Sequence, residues 1–383
     1  MTRSGAIISV LLLSIVASDS FAQREDTPLR IFGYFQNSLQ HWTAFENHPT
    51  QNSFNLQQLN LFLQKDLSRN WTAFVNFEVL NTFSSNRQWG AFNLEEAWVK
   101  YEPNMKFNLK LGLQIPIFNN LNEIKNRTPL LPYIIRPLVY ETSFGELISL
   151  EDFVPARAFV QAYGFLPAGE TKFEYAAYLG NSPNINNDPV NGQTGVDTSA
   201  TFLFGGRFGI RYRELKLGFS ACSEKRNEFM KLAPSLGRSP ADLQELSTTH
   251  LGGDLSYNLA NFSVESEFIT VNVNEDIPEV KFELGFYYAT LGYHFNERLF
   301  VYGSYWFTDA HAKLLALKDK EIRDDDIFVS TAGISYDLND RIRLKGQFAR
   351  VTAKETLQVI SKDLVEKSQD KFNILAIAAS VFF

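Results

Sequence analysis

The chain has 383 residues, with 43 Asp and Glu against 36 Lys and Arg and a formal net charge of −7. An acidic chain without a basic run has no electrostatic footprint for nucleic acid. Its single cysteine, Cys222, excludes an intrachain disulfide framework, and 34 Phe with 15 Tyr against 3 Met is a composition of strands.

The N-terminus reads as an export signal. Met1-Thr2-Arg3 is a basic start, Ala6 to Val16 is apolar, and Ser20-Phe21-Ala22 is a small-x-small cleavage site. The apolar run is shorter than the roughly 20 residues a spanning helix needs, so residues 1–22 are expected to be a signal peptide and Gln23 the first mature residue. No later apolar run is long enough to span as a helix, which leaves residues 23–383 as a single domain.

Alternation begins near Leu29, where Ile31, Gly33 and Phe35 share a face. Residues 54–63 align Leu59, Leu61 and Leu63. In 71–79, Trp71, Ala73, Val75, Phe77 and Val79 oppose Thr72, Asn76 and Glu78. In 107–117, Phe107, Leu109, Leu111, Leu113 and Ile115 alternate with Asn108, Lys110, Gly112 and Gln114. A period of two is a strand signal, and a polar second face in strand after strand suits a wet interior better than a sandwich core.

The connections alternate in length. Short ones fall at 65–70, 102–106, 167–170, 213–214, 260–261, 294–298 and 339–341. Long ones fall at 81–90, 116–155, 180–199, 223–247, 308–325 and 353–370. Short turns on one side and long loops on the other characterise transmembrane barrels. The expected fold is therefore all-β, an antiparallel transmembrane β-barrel of about sixteen strands. Within 353–370 the spacing of Leu357, Ile360 and Leu364 allows a short loop helix as well as an irregular loop. Trp71, Tyr101, Phe107, Tyr212, Tyr257, Phe262, Tyr293, Phe295, Tyr336 and Phe383 gather at the short-turn ends, as a girdle at the headgroup level requires.

The chain ends on N-I-L-A-I-A-A-S-V-F-F from Asn373. Leu375, Ile377, Ala379, Val381 and Phe383 share one face, which leaves the small Ala376, Ala378 and Ser380 inside, where they should leave room. This end resembles the closing strand of bacterial outer-membrane barrels. The resemblance implies pairing with the strand that starts near Leu29, and reading of Phe383 by the barrel-assembly machinery.

Three further stretches carry a resemblance. They are Asn93-Leu94-Glu95-Glu96-Ala97-Trp98-Val99-Lys100-Tyr101 with Leu109-Lys110-Leu111-Gly112-Leu113-Gln114-Ile115-Pro116, then Gly285-Phe286-Tyr287-Tyr288-Ala289-Thr290-Leu291-Gly292-Tyr293, and Ala332-Gly333-Ile334-Ser335-Tyr336-Asp337-Leu338-Asn339 with the strand 342–350 after it. They resemble porins of the phosphate-selective O and P type and their relatives. That likeness implies a sixteen-stranded outer-membrane channel surrounded by lipid and lipopolysaccharide, often a homotrimer, passing small hydrophilic solutes or ions. Phosphate selectivity in that family goes with basic residues at the constriction. Here 116–155, the candidate constriction loop, holds Lys125, Arg127 and Arg136 beside Glu123, Glu141, Glu146, Glu151 and Asp152. No lysine cluster appears, so phosphate specificity is not implied.

Selectivity in such a channel comes from pore diameter and the charges that line it. Alternation nominates Lys110, Gln114, Arg207, Arg211, Lys216, Arg343 and Lys345 as inward residues, with Glu78, Glu96, Glu174, Asp254, Glu265 and Glu267 as their acidic counterparts. Their order suggests partly separated basic and acidic sectors. Residues 130–140 are apolar, hold two prolines and do not alternate. A stretch that apolar should not lie bare in water, so it either folds into the lumen, as the third outer loop does in similar porins, or packs over a neighbouring subunit. No catalytic or cofactor motif is present, and Asp324-Asp325-Asp326 lacks the spacing of a calcium loop. His250 and Asp254 share a face without a nucleophile placed by any motif, so an enzyme is not expected. The alternatives are a substrate-selective porin for phosphate or other anions, or for sugars with Trp98 and Tyr178 as inward rings, a surface adhesin or receptor barrel, and a barrel-wall hydrolase.

Overall fold

Strands whose faces alternate between apolar and polar residues close most economically into a cylinder, because a closed sheet has no unpaired edge in lipid. A computed structural model describes residues 27–45, 49–80, 91–141, 154–155, 157–181, 201–226, 239, 246–273, 280–314 and 320–383. Among them sixteen antiparallel strands form one closed barrel, each paired with its neighbours in chain order. These are β1 (Arg30–Trp42), β2 (Gln51–Ser68), β3 (Trp71–Leu80), β4 (Ala91–Asn104), β5 (Phe107–Gln114), β6 (Ala158–Ala168), β7 (Thr171–Gly180) and β8 (Leu203–Tyr212). They continue as β9 (Leu215–Arg226), β10 (Leu246–Leu259), β11 (Phe262–Val273), β12 (Val280–His294), β13 (Leu299–Leu314), β14 (Glu321–Asn339), β15 (Ile342–Val359) and β16 (Leu364–Phe382). The predicted signal peptide lies outside the described residues.

The barrel closes by pairing β1 with β16, from Tyr34 opposite Phe382 to Trp42 opposite Ile374. Phe383 adds the last rung. Its N–H donates to the Gly33 carbonyl at 3.0 Å, and its carbonyl accepts from the Gly33 N–H at 2.9 Å. The Phe383 ring then lies over Gly33, so that a Cβ there would stand 2.8 Å from the ring and 2.4 Å from the Asn60 carbonyl oxygen. Gly33→Val is therefore expected to lower the yield of closed barrel, read as loss of the heat-modifiable folded band on electrophoresis. A wild-type yield would show that this contact does not matter for closure.

The short connections fall where the sequence places them, and several of the strands run longer than alternation indicates. Residues 353–370 are not a long loop. β15 and β16 pair as far as Val359 opposite Leu364 and are joined by a single 3-10 turn at Ile360–Lys362. Likewise β13 and β14 reach Leu314 and Glu321 inside the predicted loop 308–325. Backbone groups outside lipid still need partners, and continuing the ladder supplies them to residues too polar to read as membrane strand. β5 is shorter than predicted and ends at Gln114. Bulges interrupt the register at Gln36/Asn37, Asn76/Phe77 and Tyr101/Asn104.

The outward face is apolar. Leu59, Leu61 and Leu63 of β2 stand beside Val75, Phe77 and Val79 of β3. At the short-turn end, Trp71 and Tyr101 lie 4.9 Å apart, as do Tyr293 and Phe295, and Phe262 lies 4.8 Å from Tyr293. These are the rings the composition assigned to an interfacial girdle.

Candidate functional site: a lumen crossed by one inward loop

The connection between β5 and β6 turns into the barrel. Its apolar residues Phe118, Leu131, Tyr133, Ile134, Ile135, Leu138, Val139 and Tyr140 are buried. Most of them join the wall side chains Ile269, Val271, Tyr288, Tyr302, Trp306, Val329, Val351 and Ile374 in one core cluster. Of the two readings of 130–140, the structure therefore has the one in which it enters the lumen. Three short 3-10 turns, Asn122–Ile124, Thr128–Leu130 and Leu138–Tyr140, compact it.

Polar wall residues hold the loop by its backbone. Gln347 of β15 accepts from the N–H groups of Ile134 and Ile135 at 2.7 and 2.8 Å and donates to the Ile135 carbonyl at 3.0 Å. Glu267 of β11 accepts from Asn120 N–H at 2.8 Å, Leu121 N–H at 2.9 Å and the Tyr140 hydroxyl at 2.6 Å. Burial, then the neighbouring Glu267, holds the Tyr140 hydroxyl well above the usual phenol range, so it remains a donor at neutral pH. Tyr133 donates to Thr290 at 3.1 Å and reaches Glu265 at 3.4 Å. On β2, Gln57 donates to the Ile134 carbonyl and Gln58 accepts from Thr128 N–H at 3.0 Å, and Asn126 of the loop donates to Glu95 on β4 at 2.7 Å. The loop thus spans the lumen from β15, β2 and β4, which neighbour one another across the closure, to β11 and β12.

Every strand residue nominated as inward faces the interior, but they divide into three sets. Lys345, Glu267, Gln114 and Glu78 are buried against the loop or the wall. Lys345 donates to Gln36 at 2.7 Å and to the carbonyls of Thr128 and Tyr133 at 2.8 and 3.2 Å, so its charge anchors the loop. Glu78 accepts from Gln58 at 2.8 Å. This corrects the expectation that Ala376, Ala378 and Ser380 leave the wall open. Ser380 donates to Gln36 at 2.7 Å, and the Thr128–Leu130 turn lies against β1 and β16, so the loop occupies that room.

A second set neutralises itself. Arg207 reaches Asp254 through Nε and Nη2 at 2.9 and 2.6 Å and Glu174 at 3.0 Å. Gly218 permits the pairing, since a Cβ there would stand 2.2 Å from Arg207 Nη2 and 2.3 Å from Asp254 Oδ2. Glu174 also meets Arg211 at 2.8 Å and Lys216 at 3.5 Å. Acidic and basic groups are thus interleaved here, against the expected separation into sectors. Of the loop charges, Arg136 pairs with Glu141 at 3.4 Å inside the loop, Lys125 presents its carbonyl to Arg136, and Glu146 lies outside the described residues. Arg343 bonds Asp337 at 2.6 and 3.1 Å and the Leu130 carbonyl at 3.0 Å.

The third set stays wet. The side chains of Arg211, Arg157 and Arg127 are 44, 34 and 32% exposed, while their partners Glu174, Glu95 and Glu96 are 8, 3 and 5% exposed. Lys110 does not belong to this set: it is 13% exposed, 4.9 Å from the Trp98 ring and 5.4 Å from the Tyr163 ring, and the Glu123 carboxylate 3.8 Å away is 38% exposed.

Strict alternation missed Glu95, because it allows only one of two adjacent residues to face inward. The bulge that pairs Asn76 with Glu96 and Phe77 with Leu94 leaves Glu95 buried beside Glu96. The adjacent Glu-Glu was the available signal. Arg157 and Gln58 also went unread, since neither belongs to a motif. His250 and Asp254 do share the inner face, yet His250 bonds Glu224 at 3.0 Å and Asp254 bonds Arg207.

A family model of Gram-negative porins matches residues 9–356. No curated protein sequence matches the chain. Solved structures share its fold at low identity. An anion-selective porin from Comamonas acidovorans is 14% identical over 94% of this chain and 100% of that one, with a TM-score of 0.61. The outer membrane channel DcaP of Acinetobacter baumannii is 10% identical over 95% and 99%, with a TM-score of 0.58. OmpT of Vibrio cholerae in a trimer form is 10% identical over 94% and 100%, with a TM-score of 0.54. The chain belongs to the Gram-negative porin family and is an outer-membrane channel for passive diffusion.

Proposed function

We propose that the channel prefers small anions and that they pass along the β5–β9 side of the lumen, beside the inward loop. One observation supports this reading. The cations Arg127, Arg157, Arg211 and Lys216 keep access to water, while the carboxylates Glu95, Glu96, Glu174 and Asp254 beside them are buried and paired. A permeating ion meets the guanidinium and ammonium groups first, and the sign of the exposed lining charge sets selectivity. Anion selectivity in the Comamonas acidovorans porin agrees with this. The mixed charge and the scarcity of lysine argue for general anion passage over phosphate specificity.

The wall is proposed to do no chemistry. Cys222 stands opposite His250 across the strands, but both are buried below the reach of a solute. Trp98 stacks on Phe74 at 4.8 Å and Tyr178 is buried, so the two inward rings form no sliding track for sugars. We further infer a homotrimer, as in the trimer form of the Vibrio cholerae protein, and reading of Phe383 by the assembly machinery.

Planar-bilayer recording across a potassium chloride gradient tests the anion preference. The reversal potential should lie on the chloride side. In an Arg127→Gln, Arg211→Gln, Lys216→Gln variant it should move toward the potassium side. A wild-type potential on the potassium side, or no movement in the variant, would remove the proposal.

A further inference from the structure

Strands β15 and β16 run past the apolar band, and their two faces there carry opposite charge. On the outward face of β16, the residues from Phe383 back through Val381, Ala379, Ile377 and Leu375 are apolar. Asn373, Lys371, Gln369 and Lys367 then follow. Roughly nine tilted residues cross the hydrocarbon of an outer membrane, so the polar run starts at its outer boundary. On β15 the change comes after Phe348, with Arg350, Thr352, Lys354 and Thr356 outward.

The register joins the two runs: Arg350 opposes Asn373, Thr352 opposes Lys371, Lys354 opposes Gln369 and Thr356 opposes Lys367. Strands stand about 4.8 Å apart and residues on one face repeat about every 7 Å. Arg350, Lys354, Lys367 and Lys371 therefore make a single stripe on the outer wall, and all four are exposed. The aromatic level confirms the height. Phe307 and Phe328 stack outward at 4.8 Å on β13 and β14, and the Lys354 ammonium stands 4.8 Å over the Phe328 ring.

The carboxylates of the same two strands, Glu355, Glu366 and Asp370, occupy the alternate, inward positions. The next strand does carry outward acids: Asp326 faces Lys354 and Asp324 faces Thr356. Asp324 is engaged with His311, and among the described residues none of the four cations is in an ion pair. A stripe of unpaired cations at the outer lipid boundary calls for an anionic group supplied by the membrane, because charge-assisted bonds to phosphate are strong and lysine stems can lie along apolar surface while the heads reach outward.

We propose that Arg350, Lys354, Lys367 and Lys371 bind the phosphate groups of an outer-leaflet glycolipid, lipopolysaccharide, on the outer face of β15 and β16. The site is separate from the lumen, so it stands or falls independently of the anion preference.

Native mass spectrometry of protein extracted from outer membranes in mild detergent tests it. The wild type should retain lipopolysaccharide. An Arg350→Gln, Lys354→Gln, Lys367→Gln, Lys371→Gln variant should lose a bound lipid while conductance and reversal potential stay at wild-type values. Re-addition of phosphorylated lipid A should restore the adduct to the wild type, and dephosphorylated lipid A should not. A second variant with arginine at the three lysine positions should keep the lipid. Equal retention by wild type and the glutamine variant, or equal binding of dephosphorylated lipid A, would overturn the proposal. So would a variant that changes the trimer-to-monomer ratio with lipid retention intact, since the stripe would then serve contact between copies.

Discussion

Deleting residues 132–140 is expected to raise single-channel conductance severalfold while leaving a closed barrel. That segment holds Tyr133, Ile134, Ile135 and Leu138, each at most 1% exposed, and it crosses the lumen from Gln57 on β2 and Gln347 on β15, which hold Ile134, to Glu267 on β11, which holds Tyr140. A fully buried Ile or Leu is worth about 1.5–3 kcal/mol relative to water, so burial of these residues favours the loop's place in the lumen. Its removal opens that cross-section to ions. The deletion also bares apolar wall at Ile269, Val329, Val351 and Ile374, so a gentler variant is needed beside it. Gln347→Leu removes the partner of two loop N–H groups and one carbonyl, and each buried group left unmade costs about 1–3 kcal/mol. Its recordings should show fluctuating, larger conductance steps. Folded channels of either kind with wild-type conductance would mean that the loop does not limit the pore.

Arg207→Met is expected to produce the largest loss of stability of any single lumen substitution proposed for this barrel. Removing one member of a buried ion pair costs about 3–5 kcal/mol, because the partner charge is left uncompensated. Here two buried carboxylates, Glu174 and Asp254, lose their shared guanidinium, though Arg211 and Lys216 still reach Glu174. Asp254 is the one stranded. Urea titration of the folded protein in detergent or lipid vesicles measures the loss, and adding Asp254→Asn to Arg207→Met should restore much of it. A single variant as stable as wild type would show that the guanidinium is not needed at that site.

Much of the barrel is legible in the sequence, because lipid imposes a two-residue code on each strand. The face assignments at Trp71–Leu80 and at the C-terminal strand follow from it, as do the short turns and the girdle rings. The code is silent above the membrane. Residues 353–370 read as loop because their outward side is polar, yet hydrogen-bond pairing of the backbone is indifferent to side-chain polarity and carries β15 and β16 on to Val359 and Leu364. It also fails at bulges, where Glu95 and Glu96 both turn inward.

The sequence by itself determined a closed antiparallel barrel, its inside and outside, and the charged residues on the inner face, since alternation and the hydrophobic boundary act locally along each strand. Only the tertiary structure decided which of those charges meet water. Lys345 and Glu267 face inward by alternation as surely as Arg211 does, but a distant loop covers the first two and leaves the third exposed. Burial of a lumen charge depends on what crosses the barrel, and that is set by packing between segments more than a hundred residues apart.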